Sequence, residues 1–263
     1  MKILKFGGTS VANAQNIKLV LDIVQNKSKH DQLVVAVSAF SKVTDLLQLA
    51  SIKAAANDES YKEIVAEIEK KHLDALKELI PVSEQSSLLS HIKRIINHLE
   101  TLLDGCFLLG ELSHSTTDTI LSFGELLSSY IIAEAMKQNL KNSGYKDSRE
   151  LIKTNDNFGK AAVNFEITNQ LIKDYFATNQ AQVVVMPGFI ASTLDGINTT
   201  LGRGGSDYTA AIIAGALDAK DLEIWTDVNG MFTANPKIVK QAQPIATISY
   251  QEAMELSHFG AKV

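Results

Sequence analysis

Six short stretches of this sequence combine residue types that do chemistry together rather than singly. Lys5-Phe6-Gly7-Gly8-Thr9-Ser10 follows an apolar run that reads as a strand, and Gly202-Arg203-Gly204-Gly205-Ser206-Asp207 precedes one that reads as a helix. In both, glycines bare backbone N–H groups beside a cation, Lys5 in one and Arg203 in the other, which is what a phosphate needs. The first is not a Walker A loop, because its lysine precedes the glycines. Taken alone, it fits either a phosphate cradle or a tight turn that leaves Lys5 in solvent. The second spends more backbone entropy than a simple turn requires, and Arg203 offers a planar fork to a carboxylate or phosphate. The alternative for Ser206 and Asp207 is to cap the following helix.

The other blocks are less specific. Ser38-Ala39-Phe40-Ser41-Lys42-Val43-Thr44 follows a second strand, and its hydroxyls suit either a small polar substrate or helix capping. Phe123-Gly124-Glu125-Leu126-Leu127-Ser128-Ser129 puts Glu125 in a mostly apolar helix, where a half-buried carboxylate needs a partner. A substrate ammonium would serve, and so would a structural ion pair. In Trp225-Thr226-Asp227-Val228-Asn229-Gly230, Asp227 fits a ribose, adenine or lysine partner, or an Asx turn. Phe232 and Pro236 are placed to flank a base or to pack, and Lys237 adds a cation. The sixth block is Phe259-Gly260-Ala261-Lys262-Val263. The histidines, His30, His72, His91, His98, His114 and His258, show no metal-ligand spacing, so no metal site is expected from them.

These blocks need a scaffold. Ile3–Phe6 and Leu33–Val37 have the length of buried parallel strands, and between them Ile17, Val20, Leu21 and Val24 form a helical stripe. Strand, helix, strand makes a right-handed βαβ unit. Residues 44–140 read as nearly all helical, the last helix running from about Thr117 to Lys137. Strand signals return after Gly144: Ala181–Met186, continued by Phe189–Ser192, then a turn at Asp195-Gly196, a small helix over 206–216 and a strand over Leu222–Trp225. Residues 249–259 read as an amphipathic helix. The alternation predicts an α/β fold, with ligands at the carboxyl ends of the strands.

Composition narrows the class. With 263 residues, 45% hydrophobic and 21% charged, the chain can bury a sizeable core. A net charge of −5 argues against a dedicated nucleic-acid binder. A single cysteine, Cys106, precludes an internal disulfide and fits a reducing compartment, and no apolar run approaches a membrane span. A cytoplasmic protein is expected. The abrupt stop after Phe259-Gly260-Ala261-Lys262-Val263 suggests a truncated chain.

Taken in order, the six blocks resemble those of the aspartate kinases, within the amino-acid kinase family, along the whole chain. Ser249 to Val263 is especially similar to the kinase half of bifunctional aspartokinase–homoserine dehydrogenases. The resemblance implies a three-layer αβα sandwich with a mainly parallel central sheet and a helical insertion at about 44–140. Residues 1–195 would form mainly a substrate-binding lobe and 196–263 mainly an ATP-binding lobe, without the C-terminal regulatory region. It also implies transfer of the ATP γ-phosphoryl group to the side-chain carboxylate of L-aspartate, the first step toward lysine, threonine and methionine. Mg²⁺ would be carried by the nucleotide.

By resemblance, Lys5, Gly7 and Gly8 hold the transferring phosphoryl group. Ser38, Thr44 and Glu125 bind aspartate, with Glu125 answering its ammonium. Arg203 pairs with an aspartate carboxylate, helped by Ser206, and Asp207 orients the catalytic Lys5. Thr226, Asp227, Phe232, Lys237, Lys262 and Val263 line the ATP site. Phe232 stands where many members have tyrosine, Lys237 where many have arginine, and Asn229 where aspartate is common. A homodimer is expected of a longer parent and a monomer of this fragment. Two alternatives remain at this point: a binding fragment with little turnover, and a related acid kinase acting on another carboxylate. The insertion and Glu125 argue against the second.

Overall fold

The computed structural model describes residues 1–228, 230–235 and 238–258. The first strand, β1 (Lys2–Phe6), and the second, β2 (Leu33–Val37), flank helix α1 (Ala14–Lys27), whose Asn13 side chain accepts from the Asn16 N–H as an N-cap. The helical region then comprises α2 (Val43–Ala55), α3 (Tyr61–Leu79), α4 (Gln85–Leu109) and α5 (His114–Asn139). Strand β3 (Ser143–Tyr145), α6 (Phe165–Thr178), β4 (Val183–Pro187), β5 (Ile190–Ser192), β6 (Asn198–Thr200), α7 (Gly205–Ala216), β7 (Asp221–Trp225) and α8 (Tyr250–His258) follow.

The main sheet has the order β3-β4-β2-β1-β7. Strands β1 and β2, β2 and β4, and β3 and β4 pair in parallel. The fully buried Leu-Val-Val-Ala-Val and Val-Val-Val-Met-Pro strands show why they run apolar without alternation, since helices cover both faces. On one face Ile3, Val34, Ala36, Val184 and Met186 pack with Ile172 and Phe176 of α6 and with Ala210, Ile212 and Ile213 of α7. The other face receives α5, with α2, α3 and α4 packed around it. This is a three-layer αβα arrangement with a mainly parallel sheet.

One expectation fails. Phe189–Ser192 does not continue β4. The chain turns at Phe189, which has φ 65°, and Ile190–Ser192 pairs antiparallel with Asn198–Thr200 as a separate hairpin. A left-handed phenylalanine is rare, and nothing in the residue type announces it. The expected turn at Asp195-Gly196 closes this hairpin, with Gly196 at φ 83°.

Two compact units result, residues 1–224 and 225–263. In the second, Phe232 bridges Pro244, the Ile245 N–H donates to Met231 O at 2.7 Å, and α8 begins with a capping box. In that box the Glu252 N–H donates to Ser249 Oγ at 3.3 Å, and the Ser249 N–H donates to Glu252 Oε2 at 2.9 Å.

Candidate active site

Period-two alternation along β1 puts Lys5 on the same face as Ile3, the face that α7 covers. Lys5 is 8% exposed, and its Nζ lies 2.7 Å from Asp207 Oδ1 in the first turn of α7. The alternative of Lys5 in solvent is therefore not what the chain adopts. A carboxylate in a helix's first turn is favoured by the helix dipole, so α7 holds Asp207 at low cost.

The loops after β1 and β2 and the loop before α7 meet in an open cleft of 470 Å³ at the carboxyl ends of the strands. Lys5, Gly8, Ser38, Thr44, Glu125, Arg203, Ser206 and Asp207 all line it. Gly7 stands beside it, where an added Cβ would lie 3.6 Å from Lys5 Nζ. The capping alternatives do not occur. The N-cap positions are Gly204 (φ 74°) for α7 and Lys42 (φ 68°) for α2, neither with a side-chain cap. Ser206, Asp207 and Thr44 thus lie inside the helices' first turns, facing the cleft. Arg203 is exposed at its rim.

Glu125 sits at the back of the cleft, 3% exposed. Gly124 lets α5 approach the loop after β2, since a Cβ there would stand 2.8 Å from the Ala39 Cβ. The Ala39 N–H donates to Glu125 Oε1 at 3.1 Å, and Oε2 has no partner. No ion pair to Glu125 occurs among the described residues, so the structural-pair alternative is not realised. Burial pushes its carboxyl up to about 8, against the opposing pull of the Ala39 N–H. A buried carboxyl with one bare oxygen is poised to ionise against an arriving cation.

Three supporting residues carry no signal that a reading of local motifs finds. Phe40, which lines the cleft, stacks on His72 of α3 with ring centroids 4.6 Å apart and planes 8° from parallel. Burial lowers His72 to about 4, so its ring is neutral and its Nδ1–H donates to Ile68 O. Lys71, also on α3, donates to the Ser41 carbonyl. Asp118 of α5 is buried and accepts from Gly159 and Thr200. The sole signal for Asp118 is its position seven residues before Glu125, on the same helix face.

In the second unit Thr226 Oγ1 accepts from the Val228 N–H at 3.1 Å, Asp227 is exposed and Phe232 is half-buried. Asn229, Pro236, Lys237, Lys262 and Val263 lie outside the described residues. Among the described residues no cluster of three or more His, Cys, Asp or Glu could hold a metal ion, and no helix is long and apolar enough to cross a membrane.

A sequence profile described as the amino acid kinase family matches residues 1–263. A chloroplastic bifunctional aspartokinase/homoserine dehydrogenase 2 of Zea mays is 36% identical over 260 residues, covering 98% of this chain and 28% of that protein. Lysine-sensitive aspartokinase 3 of Escherichia coli is 34% identical over 270 residues, covering 99% of this chain and 56% of that one. The crystal structure of E. coli aspartokinase III in complex with aspartate and ADP superposes with a TM-score of 0.89 at 32% identity, covering 99% of this chain and 57% of that chain. The chain thus spans between about a quarter and somewhat over half the length of these relatives.

Proposed function

This chain belongs to the amino acid kinase family, and we propose that it transfers the γ-phosphoryl group of ATP to the side-chain carboxylate of L-aspartate, giving ADP and 4-phospho-L-aspartate. The observation that carries this reading is Glu125. Its bare, buried oxygen faces the same cleft as Lys5 and Arg203. The cleft therefore offers a carboxyl that ionises against an ammonium and cations for carboxylate and phosphate, which is the charge pattern of an amino dicarboxylate meeting a nucleotide.

The nucleophile in this reaction is a carboxylate with a reference pKa of about 3.9, already ionised at neutral pH, so no general base is required. The barrier is repulsion between two anions, and the chain answers it with charge and placement. Glu125 takes the α-ammonium, with Ser38 and Thr44 beside it. Arg203, helped by Ser206, takes a carboxylate. Lys5, with the N–H groups at Gly7 and Gly8, holds the transferring group, and Asp207 orients the Lys5 ammonium through their ion pair. Mg²⁺ carried by the nucleotide would neutralise further phosphate charge.

We assign Thr226, Asp227, Phe232, Lys237, Lys262 and Val263 to the nucleotide. Residues 1–195 serve mainly the acceptor and 196–263 mainly ATP. The pathway would be that toward lysine, threonine and methionine. A cytoplasmic setting is part of the proposal and rests on Cys106 as a buried free thiol. Aspartate-dependent ADP release from Mg·ATP tests the reading. Release with L-aspartate and not in its absence supports it, and equal release with and without the amino acid refutes it.

A further inference from the structure

Helix α5 carries two buried acidic side chains, Glu125 in the lining of the cleft and Asp118 outside it, bonded to the segments that lead into the glycine-rich loop. Asp118 and Glu125 are seven residues apart, which is close to two full turns, so they share a face about 10 Å apart along the axis. Glu125 receives the Ala39 N–H from the loop after β2. Asp118, 1% exposed, receives four contacts from Gly159 and Thr200, which lie behind the cleft lining. The Gly159 N–H lies 3.0 and 2.9 Å from its two oxygens, the Thr200 N–H 2.8 Å from Oδ2, and Thr200 Oγ1 2.9 Å from Oδ1.

These partners are the footing of the glycine-rich loop. Thr200 ends β6, two residues before Gly202. Gly202 rests against the other anchored segment, since a Cβ there would stand 3.2 Å from the Gly159 carbonyl oxygen. Gly205 closes the loop by donating its N–H to Gly202 O at 2.9 Å. One rigid helix thereby fixes how far the Glu125 carboxylate stands from the loop bearing Arg203.

We propose that Asp118 is a positioning residue whose clasp on Thr200 and Gly159 sets this span, and that the span selects a four-carbon over a five-carbon amino dicarboxylate. The inference rests on the functional reading above, in which Glu125 and Arg203 grip the two ends of the acceptor. Glutamate is one methylene longer, and a fixed site discriminates one methylene by about 10- to 200-fold. Loosening the clasp lets the loop follow the longer acid, so discrimination falls.

Two variants test this. Thr200→Val removes only the hydroxyl donor and keeps the backbone bond and the side chain's shape. Asp118→Asn places an amide donor against N–H groups that need an acceptor, and leaves one of them unsatisfied. The kcat/KM ratio for L-aspartate over L-glutamate is measured by ADP release, and hydrogen exchange is followed at the amides of residues 200–205 in the free protein. The expected result is a ratio at least threefold smaller in Thr200→Val, with faster exchange across the loop, and a larger effect in Asp118→Asn. A ratio unchanged in folded Thr200→Val overturns the proposal. Should Asp118→Asn fail to fold, Thr200→Val carries the test alone. Should the wild-type chain turn over neither acid, the functional reading fails and exchange decides the clasp. Faster exchange in Thr200→Val would then support it, and unchanged exchange would overturn it.

Discussion

Lys5 Nζ and Asp207 Oδ1 lie 2.7 Å apart, the ammonium delivered by the end of β1 and the carboxylate by the first turn of α7. The pair joins the two glycine-bearing ends of the chain at one point of the cleft. The Lys5 side chain is 10% exposed and that of Asp207 is 45% exposed, so the ammonium is held from inside while its partner stands at the opening.

Lys5→Ala is expected to lower kcat by about 10²- to 10³-fold, the range for removing one preorganised donor from developing charge. The KM for aspartate should change little. Asp207→Asn keeps the ammonium but releases its orientation, and should cost less than Lys5→Ala. Steady-state kinetics on both variants check this. A near-normal kcat for Lys5→Ala would remove that residue from the chemistry.

Glu125→Ala is expected to raise the KM for aspartate and leave the KM for ATP nearly unchanged. In the wild type the free carboxyl titrates near 8, and only its ionised form suits an ammonium. Below that pH, binding must first expel a proton. The KM for aspartate should therefore fall by about tenfold per unit as pH rises from 6 toward 8, then level off. A flat profile over that range would separate Glu125 from the ammonium.

The same residue makes a stability prediction of definite sign. The folded carboxyl, near 8, lies above its ordinary value of 4.5, so the folded chain binds more protons than the unfolded chain between those values. Stability from this group is thus lost as pH rises through that window, by roughly 3 kcal/mol at pH 7. Glu125→Gln should remove the loss. Its gain in Tm should be small at pH 4.5 and grow toward pH 8. His72 has the opposite sign: it stays neutral when buried, and its contribution disappears as pH falls from 6.5 toward 4. Comparing Glu125→Gln with the wild type at each pH cancels the His72 effect. A gain that shrinks as pH rises would contradict the assignment.

Gly124→Ala sets two magnitudes against each other. Alanine favours a helix over glycine by about 1 kcal/mol, whereas forcing a methyl into packed space costs about 1–3 kcal/mol. The new Cβ would stand 2.8 Å from the Ala39 Cβ, on the loop whose N–H holds Glu125. Overpacking should win. The variant is expected to lose stability in denaturant unfolding and to raise the KM for aspartate. Increased stability would show that the loop yields.

The two βαβ strands, the helical region and the residues of the cleft were legible because each depends on local pattern. Apolar runs gave β1 and β2, a helical stripe gave α1, and glycines beside cations marked the loops around Lys5 and Arg203. What escaped is set by distant partners or by unusual backbone. Asp118 finds Thr200 across the fold, Lys71 finds the Ser41 carbonyl, and His72 finds the Phe40 ring. None of these pairs has a spacing that a sequence pattern encodes. The turn at Phe189 depends on φ 65°, which residue type does not advertise, so by pattern alone Phe189–Ser192 reads as an extension of β4, whereas the Asp195-Gly196 turn is legible.

The central claim is that phosphate passes to a carboxylate of aspartate, and trapping the product tests it most directly. Purified chain, Mg·ATP and L-aspartate are incubated with hydroxylamine, which converts an acyl phosphate to a hydroxamate, and hydroxamate and ADP are measured together. The account predicts aspartyl hydroxamate and ADP in equal amounts, dependent on both substrates and nearly absent with Lys5→Ala. ADP without hydroxamate would contradict it, because the phosphoryl group would then have gone to something other than the carboxylate.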